Sequence, residues 1–247
     1  MNKFLYKNKS TLLKLKRSLN TFLGFDVVKY PTPELDRRIK LILNHEINVI
    51  LDIGANIGQY GGEMRNLGFQ GEIISFEPMK KAFQELEKNA ANDKNWKVYN
   101  WSIGEKDGQT TINVAKNSVS SSLLENLPQL TESAPQAAFL KKETIEIRKL
   151  DSIFNDLRLQ NKNIYLKIDT QGYEEMVLLG ATNSLNFVSG IQIEMSFIPS
   201  YKGAITFDQM KTQLNGLGFH LTALENGFYD KKTGKQLEID GVFYKNK

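Results

Sequence analysis

An apolar run, Val49-Ile50-Leu51-Asp52-Ile53, breaks at Gly54-Ala55-Asn56-Ile57-Gly58, and helical spacing follows. A short apolar run bounded by glycine reads as a buried strand. The glycines let the backbone turn tightly and approach a ligand closely. Strand, glycine turn and helix together belong in a layered α/β sheet, whose first strand-to-helix turn is where nucleotide-like ligands sit. The pattern then repeats. Glu72–Phe76 reads as the next strand and ends at Glu77-Pro78, Met79–Asn92 as a helix, and Val98–Ile103 as a third strand. Gln109–Ala115 and Thr144–Leu150 alternate with period two around a stretch, 117–137, rich in Ser, Asn, Pro and Gln that reads as a surface loop or lid. Asn163–Asp169 and Gly190–Ser196 resume the buried-strand pattern on either side of a helix at Glu174–Ala181. A helix at Phe207–Leu217 and strands at His220–Tyr229 and Gly241–Tyr244 close the chain. The expected fold is α/β, with a mostly parallel sheet, an antiparallel C-terminal edge and helices on both faces.

Composition narrows the chemistry. The 247 residues include no cysteine, which excludes disulfides, a thiolate nucleophile, Cys-based zinc sites and iron–sulfur clusters. Two histidines, His45 and His220, leave little room for a His-rich metal site and read as structural. The net charge is +4, and residues 1–25 hold Lys3, Lys7, Lys9, Lys14, Lys16 and Arg17 with no acid, so the remainder stands at −2. A near-neutral body argues against nucleic acid as the partner. Residues 2–23 read as a basic amphipathic helix, with Leu5, Leu12, Leu15, Leu19, Phe22 and Leu23 on one stripe and Pro31 and Pro33 beyond it. That stripe must bury against the domain, a second subunit or an anionic membrane surface, the first two being the commoner fates. The division expected is a helical extension at 1–34 and a catalytic domain at 35–247. No apolar run approaches the ~20 residues of a membrane span, and no uninterrupted apolar core of a cleaved signal follows the basic residues. The expectation is a cytoplasmic protein, with peripheral contact at the inner face of the membrane as the alternative use of the basic helix.

The glycine turn lacks both the dinucleotide pattern and the Gly-Lys-Ser/Thr of phosphate loops. Asp52, two residues before the first glycine, would repel a pyrophosphate and suits a ligand with a positive amine or hydroxyls. Glu77 follows 25 residues later at the tip of the next strand, where an acid takes ribose hydroxyls. A glycine turn and a ribose acid without a phosphate site point to S-adenosylmethionine, with Asp52, Gly54, Asn56, Gly58, Glu77 and Pro78 holding it. Trp101 and Ser102 follow the third strand, where adenine would lie; Trp101 has a core position as its alternative.

These segments, with Asn117-Ser-Val-Ser-Ser-Ser122, Leu166-Lys-Ile-Asp-Thr-Gln-Gly-Tyr-Glu174 and Ile193-Glu194, resemble in order the FkbM family of S-adenosylmethionine-dependent methyltransferases. The resemblance covers residues 35–247, and its most specific block is 166–174. Gln171 and Tyr173 depart from the commonest form there, which reshapes the acceptor pocket. The resemblance implies a seven-stranded class I methyltransferase fold and O-methylation of a sugar, glycan or glycan-linked natural product. It also places Ser120, Ser121, Ser122, Gln171 and Tyr173 at the acceptor.

The residues support an active site independently. Strand alternation puts Tyr165, Lys167 and Asp169 on one face, and Gln192, Glu194 and Ser196 share a face of the next strand. Buried central strands should be apolar, so charges there are paired or used. Asp169 or Glu194 is the expected general base, with Lys167 tuning it. Asp169, Glu194 and Asp240 also offer hard oxygens suited to Mg²⁺, a lesser alternative to a base or a salt bridge. Competing functions are methylation of a nitrogen or a protein, and a donor-binding module without catalysis.

Overall fold

The computed structural model describes residues 3–24, 26 and 28–246, of which 3–10 and 12 are described by their backbone. The chain forms two compact units, Met1–Arg38 and Ile39–Lys247. In the first, α1 runs Lys3–Leu23. Asn2, at the start of the expected helix, and the side chains of Lys3, Leu5, Lys7, Lys9 and Leu12 lie outside the described residues. The unit boundary falls inside α2, Pro33–Asn44. Among the described residues, no helix is long and apolar enough to cross a membrane.

The second unit is built on seven strands: β1 (Val49–Ile53), β2 (Glu72–Phe76), β3 (Trp96–Tyr99), β7 (Ile164–Ile168), β8 (Val188–Ser196), β9 (Phe219–Glu225) and β10 (Glu238–Lys245). Their order is β3-β2-β1-β7-β8-β10-β9. All neighbours are parallel except β10, which runs antiparallel to both β8 and β9. Helices α3 (Gln59–Asn66), α4 (Lys80–Ala90), α6 (Leu150–Ile153), α7 (Glu174–Leu179) and α8 (Phe207–Gly216) connect them. Alternation explains the two cores. Val49, Leu51 and Ile53 of β1, with Ile164, Leu166 and Ile168 of β7, enter one apolar cluster, while Ile50 and Tyr165 enter the other.

The chain order of strands and helices follows the sequence pattern, and β1 and β2 fall on the expected residues. Three segments differ. The run Val98–Ile103 splits: β3 ends at Tyr99, and β4 (Ser102–Ile103) joins a separate sheet of order β4-β6-β5, with β5 at Gly108–Ala115 and β6 at Phe139–Arg148. The cause is Asn100, whose Nδ2 donates to the carbonyls of Glu77 and Pro78 at 2.8 and 2.9 Å and turns the chain out of the main sheet. Second, 117–137 is a packed flap. It holds a 3₁₀ turn at Ser118–Ser120, helix α5 (Pro128–Ser133) and a second 3₁₀ turn at Pro135–Ala137, and buries Leu130 and Ala137 with Tyr201. Third, β9 stops at Glu225 rather than Tyr229. The chain at Gly227 passes so close to β10 that a Cβ there would lie 2.3 Å from the Glu238 carbonyl oxygen.

Candidate active site

The site lies beyond the carboxyl ends of β1, β2, β7 and β8. Gly54 leaves β1 at φ +77°, and Asn56 and Gly58 follow at +48° and +90°. A Cβ on Gly54 would stand 1.9 Å from the Asp169 carbonyl oxygen. The glycine therefore lets the turn lie flat against the end of β7. Gly54 and Ala55 donate their N–H groups to the Phe76 carbonyl. Glu77 fastens the turn from the other side: its carboxylate accepts from Asn56 N at 2.9 Å and Met79 N at 2.8 Å. Burial pushes Glu77 up to about 7, against the lowering pull of those two donors and of Lys167.

Register builds the interior of the site. Ser75, Asp52, Lys167 and Gln192 stand side by side on β2, β1, β7 and β8. Lys167 is buried; its Nζ lies 3.1 Å from the Gly54 carbonyl oxygen, 3.3 Å from Asp52 and 3.5 Å from Asp169. Burial works against its charge, but Asp169, Asp52 and Asp240 hold the ammonium above its usual range. Asp52 is fully enclosed and also accepts from Ser75 Oγ at 3.1 Å. The sequence offered Asp52 to the ligand's amine; the structure turns its carboxylate inward, as counterion of Lys167.

One step further along the strands lies a group of acids. Asp169 keeps 42% of its side chain exposed. Glu194 pairs in register with Asp240 of β10, which pairs in turn with Glu225 of β9. Burial, then Glu238, Asp169, Glu174 and Asp240, pushes Glu194 well above the usual carboxylate range. Burial and Asp169 raise Asp240 to about 6.

The Asp169–Glu174 turn is held by Glu174, whose Oε1 accepts from Thr170 N, Thr170 Oγ1 and Gly172 N at 2.8, 3.1 and 3.2 Å. Within it Gln171 adopts φ +57°. Its Nε2 donates to Asp169 at 2.9 Å and Glu194 at 3.0 Å, and its Oε1 accepts from the Tyr201 hydroxyl at 2.8 Å. The serine segment closes over this turn. Ser122 Oγ donates to the Gln171 carbonyl at 2.7 Å, and Asn56 Nδ2 reaches Ser118 Oγ at 3.4 Å.

The structure thus brings Gly54, Asn56, Glu77, Lys167, Asp169, Gln171, Glu194 and Ser118–Ser122 together. Ser121 Oγ accepts from Ala115 N at 3.0 Å, and the Ser120 carbonyl accepts from the Tyr201 hydroxyl at 3.3 Å. Gly58 faces away from the site: a Cβ there would meet Leu86 at 2.8 Å and Trp96 at 3.1 Å. Pro78 precedes α4 and lends its carbonyl to Asn100. Trp101 stacks on Tyr99 at 4.7 Å under Arg148 and packs on the core, and Ser102 is buried in β4. Tyr173 is buried, with its hydroxyl donated to Glu105. His45 stacks on Tyr244 at 4.0 Å. Among the described residues no group of three or more His, Asp or Glu is arranged to hold a metal ion. Sequence reasoning left out Glu174, Glu225 and Glu238 and left Tyr201 without a position. Glu174 carried a signal, an acid opening a helix four residues beyond Thr170; the others needed the pairing of β10.

Comparison with known proteins gives three findings. The family model described as "Methyltransferase FkbM domain" matches residues 52–221, from Asp52 to beyond Glu194. The curated 2-O-methyltransferase NoeI of Sinorhizobium fredii (strain NBRC 101917 / NGR234) is 23% identical over 209 residues, covering 81% of this chain and 84% of that protein. A structure from Thermobifida fusca YX, provisionally named a methyltransferase, is similar in fold with a TM-score of 0.50 and 10% identity, over 86% of this chain and 79% of that one.

Proposed function

The chain belongs to the FkbM methyltransferase domain family, and from that premise we propose that it transfers a methyl group from S-adenosylmethionine to a hydroxyl of a sugar or glycan-type acceptor. The donor supplies an electrophilic methyl group. The donor loop suits such a cationic, phosphate-free ligand: the carboxylate of Glu77 stands against it, it has no phosphate-loop lysine, and the cation beside it, Lys167, is engaged by the Gly54 carbonyl, Asp52 and Asp169. The loop from Gly54 to Gly58 and Glu77 hold the donor, Glu77 by the ribose hydroxyls.

Asp169 takes the proton of the attacking hydroxyl. One observation carries this assignment: Asp169 keeps 42% of its side chain exposed and has an ammonium, Lys167, at 3.5 Å. Glu194 stands among four other carboxylates and keeps its proton to higher pH. Holding donor and hydroxyl in line contributes about 7–11 kcal/mol, and a positioned base a further ~10²–10⁴-fold. Asp169→Asn is therefore expected to cut kcat by about 10²–10⁴-fold and to leave S-adenosylhomocysteine affinity unchanged. Turnover equal to the unaltered enzyme would overturn the assignment.

A hydroxyl-rich acceptor suits the ring of Asp169, Glu194, Gln171 and the serine segment, and the 2-O-methyltransferase relative supports an oxygen as the target. An amine-bearing acceptor would find the same carboxylates, so the atom that receives the methyl group decides between them. The helical extension expected at 1–34 corresponds to the first unit, whose boundary falls at Arg38 inside α2. The six cations without an acid in residues 1–25 suit peripheral contact with an anionic membrane, each Lys or Arg contributing about 1 kcal/mol near such a surface.

A further inference from the structure

Two glutamines in this site are wired alike. Gln192 Nε2 donates to Asp240 at 2.9 Å and Glu225 at 3.2 Å, while its Oε1 accepts from Tyr60 at 3.1 Å and Tyr165 at 3.4 Å. Gln171 Nε2 donates to Asp169 and Glu194, while its Oε1 accepts from Tyr201. In each case one amide gives both N–H groups to two carboxylates, which as acceptors fix which end is which, and its oxygen accepts from a tyrosine hydroxyl. An amide carries two donors and no charge, so it can stand between two acids without sharing or releasing a proton.

We infer that Gln171 is the positioning residue of the reaction: its amide holds Asp169 apart from Glu194 as a separate base, and Tyr201 holds the amide. This rests on the base assignment above. Without the amide, two carboxyls a few ångströms apart would share one proton, as like charges do in paired-acid sites. Asp169 would then enter the reaction already hydrogen-bonded to an acid. The groups facing Asp169 are Lys167 on its own strand, Glu174 on α7, Glu194 on β8, Glu238 and Asp240 on β10, and Tyr201. Lys167 alone among them is a cation, and it is shared with Asp52. Burial and the surrounding acids keep the Tyr201 hydroxyl protonated far above neutral pH, so it remains a donor to Gln171. The backbone adds a second tie, since Ser122 Oγ donates to the Gln171 carbonyl.

The test is Gln171→Glu, which keeps the shape and replaces the donating nitrogen by a third carboxyl oxygen beside the pair. Two readouts are taken: the pH profile of kcat, and the pH titration of the Asp169 carboxyl ¹³C resonance, assigned by its loss in Asp169→Asn and needing no acceptor. The expectation is that the rising limb and the Asp169 midpoint both move up by about one pH unit, a roughly tenfold loss of kcat on that limb, while S-adenosylhomocysteine affinity is unchanged. Tyr201→Phe removes a single hydroxyl, moves both in the same direction by less, and serves if Gln171→Glu does not fold. An Asp169 titration that both variants leave in place overturns the inference. If the unaltered enzyme methylates no hydroxyl, the base assignment fails, and the carboxyl titration still decides what Gln171 does.

Discussion

Gly54 shows how a residue visible in the sequence acquires its reason from the structure. Its place after an apolar run marks a turn, and the sequence reading attributes the missing side chain to close approach of a ligand. The structure adds a packing cause: the space is filled by the backbone of Asp169. Gly54→Ala adds a left-handed conformation costing about 1–2 kcal/mol and overpacking costing about 1–3 kcal/mol, and it pushes directly on the backbone of Asp169, the proposed base. The expected result is a loss of roughly 2–5 kcal/mol in denaturant unfolding, with turnover reduced more than donor affinity. Lys167 and Asp169 were legible because a charge on a central parallel strand demands an explanation. The pairing of Lys167 with Asp52 was not, because it depends on the register of β1 against β7, which sequence spacing does not encode.

Among the elements, the buried strands were the most legible, because an apolar run of about five residues between glycines and acids has few other readings. In the three-stranded sheet β5 and the second half of β6 were read as strands, but the first half of β6, which carries Lys141, Lys142 and Glu143, and the two-residue β4 were not. The segment 117–137 was read as a loop or lid, but its helical turns were not, its pieces being too short to show a period. For α1 the sequence supplies the argument: an apolar stripe on a helix with cations and no acid. The full chain is expected to sediment with vesicles containing anionic phospholipid at low salt and to leave them at high salt. Lys14→Glu, Lys16→Glu and Arg17→Glu together should abolish this without changing turnover on a soluble acceptor. Equal binding to neutral vesicles, or self-association in place of vesicle binding, would reject the membrane role.

At the scale of the whole molecule, the acids of the site set how stability depends on pH. Burial raises Glu77 and Glu174 to about 7 and Asp240 to about 6, and raises Glu194 and Glu238 as well. The folded protein then binds more protons than the unfolded chain from about pH 4.5 to 7, so its stability falls as pH rises through that window. Asp151, held down by donors from Asn183 and Ser184 despite its burial, acts oppositely and loses its contribution only at lower pH. Calorimetric Tm is expected to drop by about 5 °C or more between pH 5 and 7.5. A Tm that rises over that interval would mean that these carboxylates are ionised in the folded protein.

The central claim is that this fold methylates an oxygen and that Asp169 takes the proton. It is tested most directly by supplying S-adenosylmethionine labelled with ¹³C in the methyl group together with hydroxyl- and amine-bearing sugars, and reading the product by NMR. Label on a hydroxyl oxygen is expected with the unaltered enzyme, and its loss in Asp169→Asn while S-adenosylhomocysteine still binds. Label on nitrogen, or undiminished O-methylation by Asp169→Asn, would contradict it.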